Sequence, residues 1–150
     1  MALRPDRNEH LTDLSFFMNE TAERGLIVTA SSQGSGAAMD DSSAAVKVAA
    51  AEGEKPVGLL LNDVVNLDLT RQHINYAKDE MQKGGKVLLL RVGTVTTDQI
   101  SGSITLGDAA HFDAAGQLTS ATASSASIQI GRWLSKKDAD GYAKVAINIQ

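Results

Sequence analysis

The chain has 150 residues, the size of one ordinary domain (~100–150 residues), and no cysteine, which excludes disulfides, thiolate metal sites and a cysteine nucleophile. Its formal net charge of −4 is the wrong sign for a nucleic-acid surface. Three Phe, two Tyr and one Trp are too few for a base-stacking platform or an aromatic-lined sugar groove.

Residues 1–13 carry Arg4, Asp6, Arg7, Glu9 and Asp13 with few apolar side chains, and read as an arm outside the core. The pattern breaks at Leu14, Phe16 and Met18, which alternate at strand period and need a surface that buries them. Residues 25–29 read as a strand. The Ala/Ser/Gly-rich stretch 30–53, interrupted by Val46 and Val48, reads as a long hairpin or surface loop rather than an interdomain linker. A buried strand restarts at 56–61, and Asn62-Asp63 signals a turn before 64–69. Residues 70–83 carry a thin helical stripe (Ile74, Ala77, Met81) between Thr70 and Gly84-Gly85; a short helix and an irregular polar connection both fit.

From Gly85 onward the pattern is β. Residues 86–95 are β-branched and leucine-rich, and 100–106 place apolar residues at Ile100, Ile104 and Leu106. Gly107-Asp108 makes a turn, and 112–118 reads as two short strands around Ala114-Ala115-Gly116. The run 128–134 leads to an Asp138-Ala139-Asp140-Gly141 turn, then to a strand with Val145, Ile147 and Ile149 on one face. Short strands with frequent Gly and Asp turns define a mainly β chain, a compact sandwich or barrel with at most one short helix.

No pattern carries catalysis. His10, His73 and His111 are isolated in sequence, without metal-ligand spacing. Asp138-Ala139-Asp140-Gly141 lacks the later oxygen ligands of a calcium loop and is better read as a hairpin turn. Gly34-Ser35-Gly36 and Gly84-Gly85-Lys86-Val87 both fail the requirements of phosphate-binding loops. No serine sits in Gly-x-Ser-x-Gly, and Asp40-Asp41 reads as solvated charge. The expectation is therefore no catalytic residue, no metal and no cofactor. With no apolar run of signal or membrane-spanning length, the reading is a soluble protein made in the cytoplasm, with neither nucleic acid nor membrane as partner.

Four segments, 13–25, 57–63, 84–87 and 130–145, in that order and with their strand-and-turn patterns, resemble the capsid decoration (cement, or head-stabilising) proteins of tailed bacteriophages. The resemblance implies a β-tulip-type body, 19–150, with an N-terminal capsid-binding arm, 1–18. It implies a structural, non-enzymatic protein on the exterior of the virion capsid. The implied partner is the major capsid protein, and the implied assembly a homotrimer at local three-fold positions. The residues proposed for the capsid contact are Arg4, Arg7, Leu11, Leu14, Phe16, Phe17 and Met18.

Fully burying Leu11, Leu14, Phe16, Phe17 and Met18 would yield ~1.5–3 kcal/mol each, roughly 8–15 kcal/mol together. Ordering about ten arm residues costs ~1–2 kcal/mol each. One floppy arm would not hold a monomer on a shell; strand addition to a capsid sheet, or several arms acting together, would. Trp133, in a strand-like run before a turn, is expected to be a core anchor. Two other classes compete: a carbohydrate-binding β-sandwich on a virion or cell surface, for which aromatics are few, and a small β-barrel enzyme, which would need His73 or His111 to converge with carboxylates.

Overall fold

The computed structural model describes residues 2–31, 45–65, 80, 81, 83–120 and 127–149, and among these there are twelve strands and no helix. In chain order they are β1 (Asn8–Asp13), β2 (Phe17–Met18), β3 (Ala22–Glu23), β4 (Ile27–Ala30), β5 (Ala45–Val48) and β6 (Pro56–Val65). They continue with β7 (Glu80–Met81), β8 (Lys86–Thr97), β9 (Ala109–Phe112), β10 (Leu118–Thr119), β11 (Gly131–Trp133) and β12 (Ala143–Asn148).

The organising element is β8, twelve residues long and flanked along its whole length. On one side it pairs with β12 and then β6; on the other with β1 and then β2. The first half of β8 closes a five-stranded barrel in the order β8-β2-β5-β4-β6 and back to β8. Within that ring β2 and β5 run parallel and the other pairs antiparallel. The second half continues the sheet outward as β12, β11, β9 and β10, with β1 on the opposite edge. A separate two-stranded piece joins β3 and β7.

Uninterrupted apolar runs make sense in this arrangement, because a strand covered on both faces has no polar side to alternate with. Met18, Val28, Val46, Leu60, Val87 and Leu89 come from all five barrel strands and fill the barrel, with Ala22 and Met81 packed against them. The opposite faces of the same strands, through Ile27, Leu59, Leu61 and Leu90, meet a second cluster built from Phe112, Leu118, Ile130, Trp133, Val145 and Ile147. Leu59-Leu60-Leu61 therefore serves two cores at once. Trp133 is fully buried, as its sequence context led one to expect.

Two loops show how local chemistry sets the turns. In Asp113-Ala114-Ala115-Gly116-Gln117, Asp113 Oδ1 accepts the N–H groups of Ala115 and Gln117, and the Asp113 carbonyl accepts the Gly116 N–H. Asp138-Ala139-Asp140-Gly141-Tyr142 repeats the pattern: Asp138 Oδ1 accepts from Asp140 and Tyr142, and the Asp138 carbonyl from Gly141. Both glycines adopt positive φ, 77° and 87°, which an L side chain resists. The expected turn at Asp138–Gly141 is thus a hairpin loop held by its own aspartate.

Several expectations change. Asn62-Asp63 is not a turn: β6 runs through it and absorbs the local irregularity as register shifts against β8. Residues 100–106 do not form a strand: Ile100 makes one parallel bridge to Leu118, Ile104 is buried, and Leu106 is 65% exposed beside the turn. Of the segment 70–83, residues 80 and 81 are strand rather than helix; most of the rest lies outside the described residues. The stretch 30–53 is a hairpin between the antiparallel β4 and β5, whose connection lies outside the described residues.

The N-terminal segment also departs from a free arm. Ala2 and Leu3 are core residues, 3% and 2% exposed, and Leu3 bridges Thr97. The Thr97 hydroxyl donates to the Ala2 carbonyl at 2.9 Å, and Arg4 N–H donates to the Thr96 carbonyl at 3.0 Å. β1 then lies along β8 from Asn8↔Thr94 to Asp13↔Leu89. Gly93 permits this close approach, since a Cβ there would collide with the Asn8 carbonyl.

Candidate functional site

The seven residues proposed for the capsid contact separate into three groups. Arg4 and Arg7 are held in ion pairs within the chain. Arg4 Nη2 lies 3.2 Å from Asp140 Oδ2 and 3.7 Å from Asp138 Oδ2, with its guanidinium carbon 4.2 Å from the centre of the Tyr142 ring. Arg7 Nε lies 2.7 Å from Glu9 Oε1. The Arg4 contacts fasten the start of the chain to the β11–β12 loop, and their solvent-exposed ion pairs are worth only about 0–1 kcal/mol each, whereas the Arg7–Glu9 pair stays within the N-terminal segment.

Phe16 and Met18 turn toward the barrel core, whereas Phe17, between them in the chain, is not part of it. Phe16 packs on the barrel core, and Phe17 is half-buried with Lys86 Nζ 5.7 Å from its ring centre. Met18, 2% exposed, is part of the barrel core itself and is not available to a partner. Its side chain packs inside the barrel with Val28, Val46, Leu60, Val87 and Leu89.

Leu11 and Leu14 remain on the surface, 45% and 46% exposed. Leu11 sits in β1, whose residues are exposed on both faces, and beyond β1 no further strand pairs among the described residues. Leu14 follows at the bend where Asp13 Oδ1 caps the Ser15 N–H at 2.7 Å. Arg91 Nη1, 3.9 Å from Asp13 Oδ2, ties that bend to β8. The candidate surface is therefore the outer edge of β1 and the bend after it, presented in a fixed conformation.

The remaining chemistry is sparse. His10 lies on exposed β1 and His111 on buried β9, while His73 falls outside the described residues. Among the described residues no three metal-capable side chains cluster. An open groove of about 390 Å³ along β11 and β12 is lined by Gln129, Ile130, Gly131, Arg132, Ala146 and Asn148, with no aromatic ring. Among the described residues one carboxylate is clearly perturbed: Glu54 is held below its ordinary range, first by the Ala50 N–H, then by the Thr29 hydroxyl, against an opposing push from burial and with help from Lys47. It ties the loop before β6 to β4 and β5, a structural task.

Sequence reasoning missed a second exposed apolar pair, Leu106 at 65% and Leu134 at 41%. Both sit in runs that resemble core strands. The usable signal was the Gly107-Asp108 turn directly after Leu106, where a strand's covered face has already ended.

The described residues thus form a β-barrel with a sheet extension and an exposed N-terminal edge strand. The family model described as "Structural cement protein (E217 gp24/Pam3 gp6)" matches residues 12–148. The chain belongs to this family of phage cement proteins. No curated protein matches the chain. Membership makes it a structural component of the phage capsid with a stabilising role.

Proposed function

We propose that the protein attaches to the outer surface of an assembled capsid, contacts the major capsid protein through Leu11 and Leu14 at the β1 edge, and does so as a homotrimer at local three-fold positions. The observation that carries this reading is a pair of half-exposed leucines, Leu11 on a strand already docked on β8 and Leu14 directly after it. The docking matters energetically, because the ordering cost of a floppy arm does not arise on binding. Covering what remains exposed of two leucines gives about 1.5–3 kcal/mol in all. Association costs about 4–15 kcal/mol in lost translational and rotational freedom. A single β1 edge is too weak, and three linked copies answer this, since each later contact sees an effective concentration of about millimolar.

The test is binding of Leu11→Ser/Leu14→Ser to expanded empty capsids. A loss of at least tenfold in apparent affinity, amplified by trivalency, is expected; unchanged binding would overturn the assignment of this edge. Deleting residues 1–13 is a poorer experiment, because it also removes Leu3 from the core. Capsid density showing single copies away from every three-fold axis would reject the trimer.

A further inference from the structure

The second exposed apolar pair comes with charge. Leu106 and Leu134 flank one pair of backbone hydrogen bonds, Gly107 N–H to the Trp133 carbonyl at 3.0 Å and Trp133 N–H to the Asp108 carbonyl at 2.9 Å. Around them stand Arg132, Lys136 and Lys137, all exposed. Arg132 Nη1 donates to the Gly107 carbonyl at 2.7 Å and Lys137 Nζ to the Gly102 carbonyl at 3.1 Å, so two of the three cations brace the loop that presents Leu106. None of the three pairs with a carboxylate among the described residues, whereas Arg4, Arg7, Lys47, Arg91 and Lys144 all do.

The nearby acids are turned elsewhere. Asp138 and Asp140 face Arg4, and Asp108 Oδ2 accepts the Thr105 N–H at 3.2 Å. In a chain of net charge −4, this corner therefore gathers three cations without a carboxylate partner among the described residues, with the Asp108 carboxylate nearby, around two exposed leucines. A carboxylate-bearing protein surface with an apolar centre is its complement.

Position supplies the rest. Leu134 N–H donates to the Lys144 carbonyl, and Lys144 pairs with Thr96, whereas Leu11 pairs with Val92. The two leucine patches are thus three strand spacings and four or more residue steps apart, roughly 20 Å or more, at diagonal corners of the sheet. Stabilising a shell requires binding the assembled state better than its separated subunits, because equal affinity for both shifts no equilibrium. Two separated contacts that engage different subunits meet that requirement.

We infer that the Leu106/Leu134 corner, with Arg132, Lys136 and Lys137, is a second attachment point that docks an acidic surface of a neighbouring capsid subunit. This rests on the capsid-exterior reading above and adds the bridging that makes attachment stabilising. The full-length protein, Leu106→Ser/Lys136→Glu and Leu11→Ser/Leu14→Ser are compared for affinity to expanded empty capsids at low and raised salt, and for the rise in capsid melting temperature each produces. Both variants change exposed side chains, and native Trp133 emission checks that each is folded.

Expected for Leu106→Ser/Lys136→Glu are a tenfold or greater loss of affinity, a shallower salt dependence than wild type, and loss of most of the capsid's thermal gain. If it binds and stabilises like wild type while Leu11→Ser/Leu14→Ser is impaired, the second attachment point is refuted and the first stands. If the wild-type protein itself does not bind capsids, the capsid-exterior reading fails and takes this inference with it. A variant that binds normally per protomer but sediments as a smaller species than wild type would place the corner between copies of this chain and overturn the inference.

Discussion

Gly116 and Gly141 occupy the same position in two loops with the same hydrogen-bond pattern, so replacing each with alanine brings out what tertiary packing adds. Both have positive φ, and forcing an alanine there costs roughly 1–2 kcal/mol from backbone sterics alone. A Cβ on Gly141 would meet nothing within 4 Å, so the backbone cost is the whole effect. A Cβ on Gly116 would lie 2.7 Å from Val48 Cγ1 and 3.0 Å from the Ile27 carbonyl oxygen. The Gly116 carbonyl also accepts the Ile27 N–H at 2.9 Å, so the loop cannot back away without losing its bond to β4. Overpacking of this kind adds about 1–3 kcal/mol. The expected losses are therefore about 1–2 kcal/mol for Gly141→Ala and about 2–5 kcal/mol for Gly116→Ala. Urea unfolding followed by Trp133 emission measures both. Adding Val48→Ala removes the closest contact and should recover part of the Gly116→Ala loss, by roughly 1 kcal/mol in a double-mutant cycle. Equal losses for the two glycine variants would refute the claim that the 113–117 loop is locked onto the barrel.

Three further outcomes follow from named contacts. Glu54 has a folded pKa depressed below 4.5, so its contribution is fully present above pH 4.5 and disappears as pH falls through the lowered value. Glu54→Gln should cost about 1–2 kcal/mol at neutral pH and flatten the acid limb of a stability–pH profile; an unchanged limb would remove Glu54 from that role. Trp133→Ala should cost about 3–5 kcal/mol by circular-dichroism melts. Trp133→Phe should cost clearly less, because the indole N–H it removes has no partner among the described residues; equal costs would contradict this. Gly93→Ala should loosen β1 and raise amide exchange across residues 8–13 while the barrel strands stay protected, and unchanged exchange there would show that β1 tolerates the collision with its Asn8 carbonyl.

Local chemistry was legible in the sequence wherever a few neighbouring residues settle the outcome. Asp113 with Gly116, and Asp138 with Gly141, specify their loops from within five residues. The alternation of Val145, Ile147 and Ile149 marked a strand with one covered face, and β12 buries Ala143, Val145 and Ile147 while Lys144, Ala146 and Asn148 lie on its more open face. The ordered strand-and-turn segments also carried the resemblance to capsid cement proteins, and the family match over 12–148 bears it out.

Burial followed different rules, because it depends on which distant segment arrives to cover a residue. Leu3, Leu11 and Met18 belong to one stretch of similar composition, yet Leu3 and Met18 are core and Leu11 is surface. The difference is that β8 and its barrel partners close over the two ends, whereas β1 between them lies on an edge with no covering layer. Ile104 and Leu106 share a strand-like spacing, but only Ile104 faces the second cluster. Asn62-Asp63 carries turn chemistry, yet pairing along β8 outweighs it and draws both into a strand. Periodicity says that a face is apolar; only the packed sheet decides whether that face meets a core or is left for a partner.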